Sequence, residues 1–173
     1  MKKTVFLLVL LVSFLSLDAH ARSGVQYFLP KATAMFFDGN PERDKPLYTI
    51  GLVYGHAFDT AIALEIDGNY GIYGGNYTEA GNNGSYSYWD AGIYGVYRYP
   101  VLVEGYLKGK AGAAYSKIDH IAAVGESQSR EGTEVVLGAG FGYVFKSRIT
   151  FELEYTRLKN NSHNLGLGLH YQF

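Results

Sequence analysis

The chain holds 173 residues with 15 basic and 16 acidic side chains, a net charge of −1, and no cysteine. So even a balance gives no electrostatic footprint for nucleic acid, and the missing cysteines exclude disulfide staples. Tyrosine at 16 and glycine at 22, beside a single tryptophan, favour strands and tight turns over helices.

Lys2 and Lys3 precede the apolar run VFLLVLLVSFLSL, followed by Asp18 and Ala19-His20-Ala21. A basic start, a short apolar middle and an A-x-A site are the parts of a cleaved secretory signal. The run falls short of the roughly 20 apolar residues of a membrane-spanning helix. Residues 1–21 are therefore expected to be removed, leaving one domain over 22–173. Loss of Lys2, Lys3 and Asp18 takes the charges from 15 basic and 16 acidic to 13 and 15.

From there the chain alternates with a period of two. YFLPKATAMF (27–36) is the weakest segment, because Pro30 interrupts it. LYTIGLVYGHAF (47–58) opposes Ile50, Leu52 and Tyr54 to Thr49, Gly51 and Gly55. AIALEIDGNYGIY (61–73) sets Ile62, Leu64, Ile66 and Tyr70 against Ala63, Glu65, Asp67 and Asn69. YWDAGIYGVYRYP (88–100) places Asp90 and Arg98 in one phase and Trp89, Ile93, Tyr97 and Tyr99 in the other. VEGYLKGKAGAAY (103–115) turns Glu104, Lys108 and Lys110 one way and Val103, Leu107, Ala111 and Tyr115 the other. TEVVLGAGFGYVF (133–145) has Val135, Leu137, Ala139, Phe141, Tyr143 and Phe145 opposite Glu134 and three glycines. ITFELEYT (149–156) alternates Ile149, Phe151, Leu153 and Tyr155 with Thr150, Glu152, Glu154 and Thr156. The last segment, HNLGLGLHYQF (163–173), repeats Leu165, Leu167, Leu169, Tyr171 and Phe173.

Eight strands of about 10 to 13 residues match the 9–11 needed to cross a bilayer at a tilt. Short links at Asp59-Thr60, Tyr99-Pro100 and Lys146-Ser147 alternate with long polar ones at 38–45, 74–87, 116–132 and 158–162. Short turns at one end and long loops at the other predict an all-β, eight-stranded antiparallel up-and-down transmembrane barrel, with short periplasmic turns and longer extracellular loops. Alternation alone leaves the inner face open. A soluble lipocalin-like carrier would bury the apolar face, whereas a membrane barrel turns it out to lipid. Glycine and alanine on the charged face favour the membrane, since a narrow interior needs small residues beside long ionised ones. Aromatics near the strand ends, as at the two lipid interfaces, favour it too.

VLGAGFGYVF followed by ITFELEYTRL, and the closing GLGLHYQF, resemble the small outer-membrane β-barrel family that includes the membrane domain of OmpA and the opacity-type surface antigens. The resemblance covers essentially all of 22–173. It implies outer-membrane lipid as the surroundings. It also implies that Leu165, Leu167, Leu169, Tyr171 and Phe173 are the assembly signal read by the barrel-assembly machinery. Full-length relatives of OmpA continue into a peptidoglycan-binding domain, and the expectation here is a barrel without one.

On this assignment Lys31, Glu65, Asp67, Asp90, Arg98, Glu104, Lys108, Lys110, Glu134, Glu152 and Glu154 point inward, with His170 near the periplasmic end. Buried charges are costly unless paired, which predicts a crossed network of acids and bases. The network is either a plug or the lining of a narrow, low-conductance channel. No enzyme is expected. Relatives of this shape that deacylate lipids would call for a His-x-Ser pair on a strand, and the chain has none. Asp119-His120 is not a metal-ligand set, and GNYGIYGG lacks the strand-to-helix context of a nucleotide site, so no cofactor is expected. The outward loops are left as the place for surface recognition, with Tyr77, Tyr86, Tyr88, Ile121 and Val124 as candidate contacts to an unknown extracellular ligand.

Overall fold

The computed structural model describes residues 24–37, 46–73, 77–79, 82–121, 128–146, 148–158 and 162–173. Its strands are β1 Val25–Phe37, β2 Leu47–Ala57, β3 Ile62–Tyr73, β4 Tyr77–Glu79, β5 Asn82–Pro100, β6 Gly105–Ile121, β7 Gln128–Lys146, β8 Ile149–Leu158 and β9 Ser162–Gln172. Each long strand pairs antiparallel with its neighbours in sequence. Pairing of β1 with β9 and of β3 with β5 closes eight of them into a ring, while β4 forms a short ribbon with the start of β5.

Closure explains how the chain ends. The Phe173 amide donates to the Gln26 carbonyl at 3.1 Å, and its ring stacks on Phe28 at 5.3 Å. The last strand thus removes the free edge that an open sheet would present. Pro30 has no donor to give, and the β1–β9 ladder is broken at Leu29 and Pro30. Phe28 still faces Tyr171 and Lys31 still faces Gly168, so the register survives the gap without a bulge.

The two faces have opposite polarity to those of a soluble protein. Ile50, Leu52, Ile93, Leu137, Leu153 and Leu167 are among many large apolar side chains that lie exposed, whereas Glu65 is 0% and Lys108 only 4% exposed. Hydrocarbon is the solvent that favours such a surface. Phe36, Tyr48, Tyr70, Trp89 and Tyr155 lie outward near one end, and Phe28, Tyr97, Tyr99, Phe145, Phe151 and Tyr171 near the other. Trp89 and Tyr99 mark the two aromatic levels on β5. At about 3.4 Å per residue and a tilt of ~40°, their separation is about 25 Å, the height of an apolar barrel band. A carrier with an apolar interior would have the reverse arrangement.

Two differences from the segments read in the sequence stand out. First, β5, β6 and β7 run well beyond 88–100, 103–115 and 133–145, since Tyr86 pairs with His120, Tyr88 with Ile118 and Lys117 with Glu131. Residues 82–87 look like a loop by composition. The Ser85-Tyr86-Ser87-Tyr88 alternation nevertheless suits a strand once a partner strand supplies the ladder. Second, the link after Pro100 is the turn 101–104, in which the Val101 and Leu102 amides both donate to the Gly105 carbonyl. Residues 1–21 and Val124 lie outside the described residues. In the turn between β2 and β3, Asp59 accepts from the Ile62 and Ala61 amides at 2.6 and 2.7 Å. Those two amides hold its pKa below the usual carboxylate range.

Interior glycines make room for rings. A Cβ on Gly55 would collide with the Tyr27 ring, and one on Gly142 with the Tyr106 ring. Gly109, by contrast, has nothing near the place a Cβ would occupy. Gly142→Val should therefore destabilise the barrel by about 1–3 kcal/mol. Gly109→Val should stay within about 0.5 kcal/mol. Urea unfolding of both variants in lipid vesicles checks the contrast.

Candidate functional site: the charged interior

The inward positions of six strands stack into two polar layers. The periplasmic layer centres on Lys108 of β6. Its ammonium donates to Glu65 of β3 at 2.8 Å and to Glu152 of β8 at 2.9 Å, and lies 3.2 Å from Glu154. Arg98 of β5 donates to the Tyr27 hydroxyl at 2.5 Å and reaches Glu65 at 3.4 Å. Tyr27 in turn donates to Glu65 at 2.6 Å. Tyr106 donates to Glu152, whose same oxygen lies 3.2 Å from His170 Nδ1. The His170 ring stacks on Tyr27 at 4.0 Å.

The upper layer centres on Asp67. Lys31 donates to it, Lys110 lies 3.6 Å away, and Asn69 donates at 2.9 Å. Lys110 also donates to Glu154 at 2.6 Å and sits over the Tyr94 ring at 4.3 Å. Asp90 accepts from Tyr88 at 2.5 Å and from Asn69 at 2.7 Å. A cavity of about 20 Å³ remains between Lys31, Asp67, Asp90, Lys110 and Glu154. That is room for about one water. Above it, Met35, Leu47, Tyr88 and Ile118 form a buried apolar layer against which Phe37 packs.

Nine of the eleven charged residues singled out in the sequence thus meet in these two layers: Lys31, Glu65, Asp67, Asp90, Arg98, Lys108, Lys110, Glu152 and Glu154. Glu104 is not among them. It lies exposed in the 101–104 turn and accepts from the outward-facing Tyr143 at 2.6 Å, because β6 begins only at Gly105. Glu134 is half-buried opposite Ala114, above the network. Tyr88, expected at a loop surface, is 1% exposed inside the barrel, because β5 starts six residues earlier than its composition implies. Tyr77 lies in β4, Tyr86 in β5, and Ile121 ends β6. The terminal set sits in β9, where Leu165, Leu167, Leu169 and Tyr171 face outward.

Sequence reasoning missed the interior tyrosines. Tyr27, Tyr88 and Tyr106 each carry a hydrogen bond to a buried carboxylate. The signal was available, since each shares its phase with a charged neighbour two or four positions along: Lys31, Asp90 and Lys108. No three His, Cys, Asp or Glu side chains among the described residues form a metal-holding group.

A closed antiparallel barrel, apolar outside and ion-paired within, defines an integral outer-membrane β-barrel protein. Residues 4–173 match the outer membrane protein beta-barrel domain family, and the chain belongs to it. No curated protein sequence matches it. Among solved structures, Ail, the attachment invasion locus protein of Yersinia pestis, superposes with a TM-score of 0.62 at 20% identity. The match covers 88% of this chain and all of Ail, which was solved in complex with the heparin analogue sucrose octasulfate. The N-terminal β-barrel domain of Pseudomonas aeruginosa OprF gives 0.62 at 15% identity, over 87% of this chain and 100% of that domain. OprG of the same organism gives 0.59 at 11%, over 89% and 97%. At such identities these likenesses concern the fold. The family places the protein in the outer membrane, embedded in its lipid.

Removing Lys108 strands buried carboxylates on β3 and β8. Lys108→Ala should therefore cost about 3–5 kcal/mol. Lys108→Met combined with Glu152→Gln should cost less than the sum of the single changes, because each removes the charge the other leaves uncompensated. Urea midpoints of the refolded variants measure both.

Proposed function

We propose that the protein is a non-enzymatic, electrically silent outer-membrane barrel whose role is surface interaction through its extracellular face. The supporting observation is strand length. β8 and β9 have 10 and 11 residues, while β5 and β7 have 19 and β6 has 17. About 9–11 suffice to cross the bilayer. The surplus rises beyond the Trp89 and Tyr115 rings, which lie 5.5 Å apart, as a three-stranded ribbon. Such a projection gives the membrane nothing and offers water a structured surface. Ail is an attachment protein by its name, which is consistent with this reading. Lys117, Asp119, Arg130 and Glu131 are balanced in charge on the described part of the ribbon, so polyanion binding is not carried over from Ail.

Displayed on a non-adherent Gram-negative host, the wild-type barrel should increase attachment to matrix-coated surfaces. Replacing residues 119–130 by an Asn-Gly turn should abolish that gain while heat-modifiable gel mobility persists. Equal attachment by both forms would contradict the ribbon's role.

A second reading, a narrow channel, draws on one observation: Lys108 faces Glu65, Glu152 and Glu154 at once. An exchange of partners there would be the gating event. The apolar layer of Met35, Leu47, Tyr88 and Ile118 weighs against it, because a wet path would have to cross it. We further propose Leu165, Leu167, Leu169, Tyr171 and Phe173 as the segment recognised by the barrel-assembly machinery. Deleting Phe173 should sharply lower the folded fraction in cells, yet leave refolding in detergent largely intact. Equal losses in both settings would assign Phe173 a purely structural role.

A further inference from the structure

Three short turns lie at the end of the barrel that carries Phe173, and they differ in chemistry. The β2–β3 turn carries Asp59 and Thr60 at its tip, with the exposed Phe58 ring packed edge-on against His56 before them, and the β7–β8 turn contains Arg148. The β5–β6 turn reads Val101-Leu102-Val103, with exposures of 42%, 61% and 105%. This apolar tip is held in place. The Val101 and Leu102 amides donate to the Gly105 carbonyl at 3.0 and 3.1 Å, and the Glu104 carbonyl accepts from the Val144 amide at 2.7 Å. A fixed apolar turn facing water is unfavourable in proportion to the apolar surface it exposes.

The turn is continuous with the lipid-facing band. A Cβ on Gly105 would meet Leu102 Cδ1 at 3.2 Å and Phe141 Cζ at 3.3 Å, so Leu102 folds back beside an outward-facing ring. Tyr97, Tyr99 and Tyr143 mark the interface level next to it. Glu104, the nearest acid, is occupied by the Tyr143 hydroxyl at 2.6 Å. Along the rim, the neighbouring turn presents Arg148, exposed and in no ion pair among the described residues. Apolar side chains beside such a cation complement a phospholipid, acyl chain to one and phosphate to the other.

We propose that Val101–Val103 and Arg148 together form a docking surface for anionic phospholipid of the periplasmic leaflet, with the turn inserted among the upper acyl carbons. Trp89 is the only tryptophan and the chain has no cysteine, so single probes are simple to place. In a Trp89→Phe background, Val103→Trp and, as comparator, Thr60→Trp are reconstituted into phosphatidylethanolamine–phosphatidylglycerol vesicles with acyl-brominated lipid. Position 103 should give blue-shifted emission and strong bromine quenching, and position 60 water-like emission with little quenching. Adding Arg148→Glu should relieve the quenching at 103. Equal emission and quenching at the two positions, or quenching at 103 indifferent to Arg148→Glu, would overturn the site. Folding of each variant is verified by heat-modifiable mobility. If the tryptophan variant does not fold, a nitroxide on Val103→Cys reads the same insertion: oxygen should reach it more readily than a nickel chelate, and the reverse order would overturn the site.

Discussion

One ammonium group ties the barrel across its middle. Lys108 rises from β6 and meets carboxylates from β3 and β8, strands that are not neighbours in the ring. Backbone ladders hold adjacent strands together, but only a side chain of this reach connects opposite walls. Because Lys108, Glu65 and Glu152 are buried, their charges have to be paired, and the surrounding sequence reflects that demand. Tyr27 and Arg98 converge with Lys108 on Glu65 Oε1, and Tyr106 and His170 on Glu152 Oε1. Gly55 and Gly142 are bare because tyrosine rings lie over them. The polar interior thereby leaves the outer face free to be apolar throughout the bilayer's thickness.

That inversion also accounts for the ends of the molecule. The outward aromatics form two levels because each has one side in hydrocarbon and a polar edge near water. At the extracellular end the interior changes character, from ion pairs to Met35, Leu47, Tyr88 and Ile118, while the wall itself grows upward as β5, β6 and β7. At the other end Phe173 completes the ring through Gln26 and Phe28, and the 101–104 turn extends the apolar surface past the strand ends. The scaffold thus carries ion pairs through its middle and an apolar layer above them, and its two rims differ in character.

Much of this is legible in the sequence, for a definite reason. A period of two assigns each residue to a face, and once Glu65, Lys108 and Glu152 are on one face their mutual pairing is close to obligatory. The same pattern identifies the membrane-facing positions. It is less informative where composition and pairing disagree. Asn82 to Ser87 resemble a loop until β4 and β6 lie beside them, so Tyr88 reads as a surface residue rather than the donor to Asp90. Glu104 has the inward phase of Lys108, but phase says nothing about where a strand begins, and the chain is still turning there. Interior tyrosines escape notice because tyrosine reads as a lipid-interface residue, although those in phase with the charges act as hydroxyl donors between them.

The most direct test of a sealed, ion-paired interior is single-channel recording in planar bilayers, using protein refolded from denaturant and verified by heat-modifiable mobility. With Lys108 bound to Glu65 and Glu152 and an apolar layer above, the folded barrel should show no discrete current steps. Reproducible unitary steps from the wild-type protein, lost in Lys108→Ala, would contradict a sealed lumen and make the charged layer a gate.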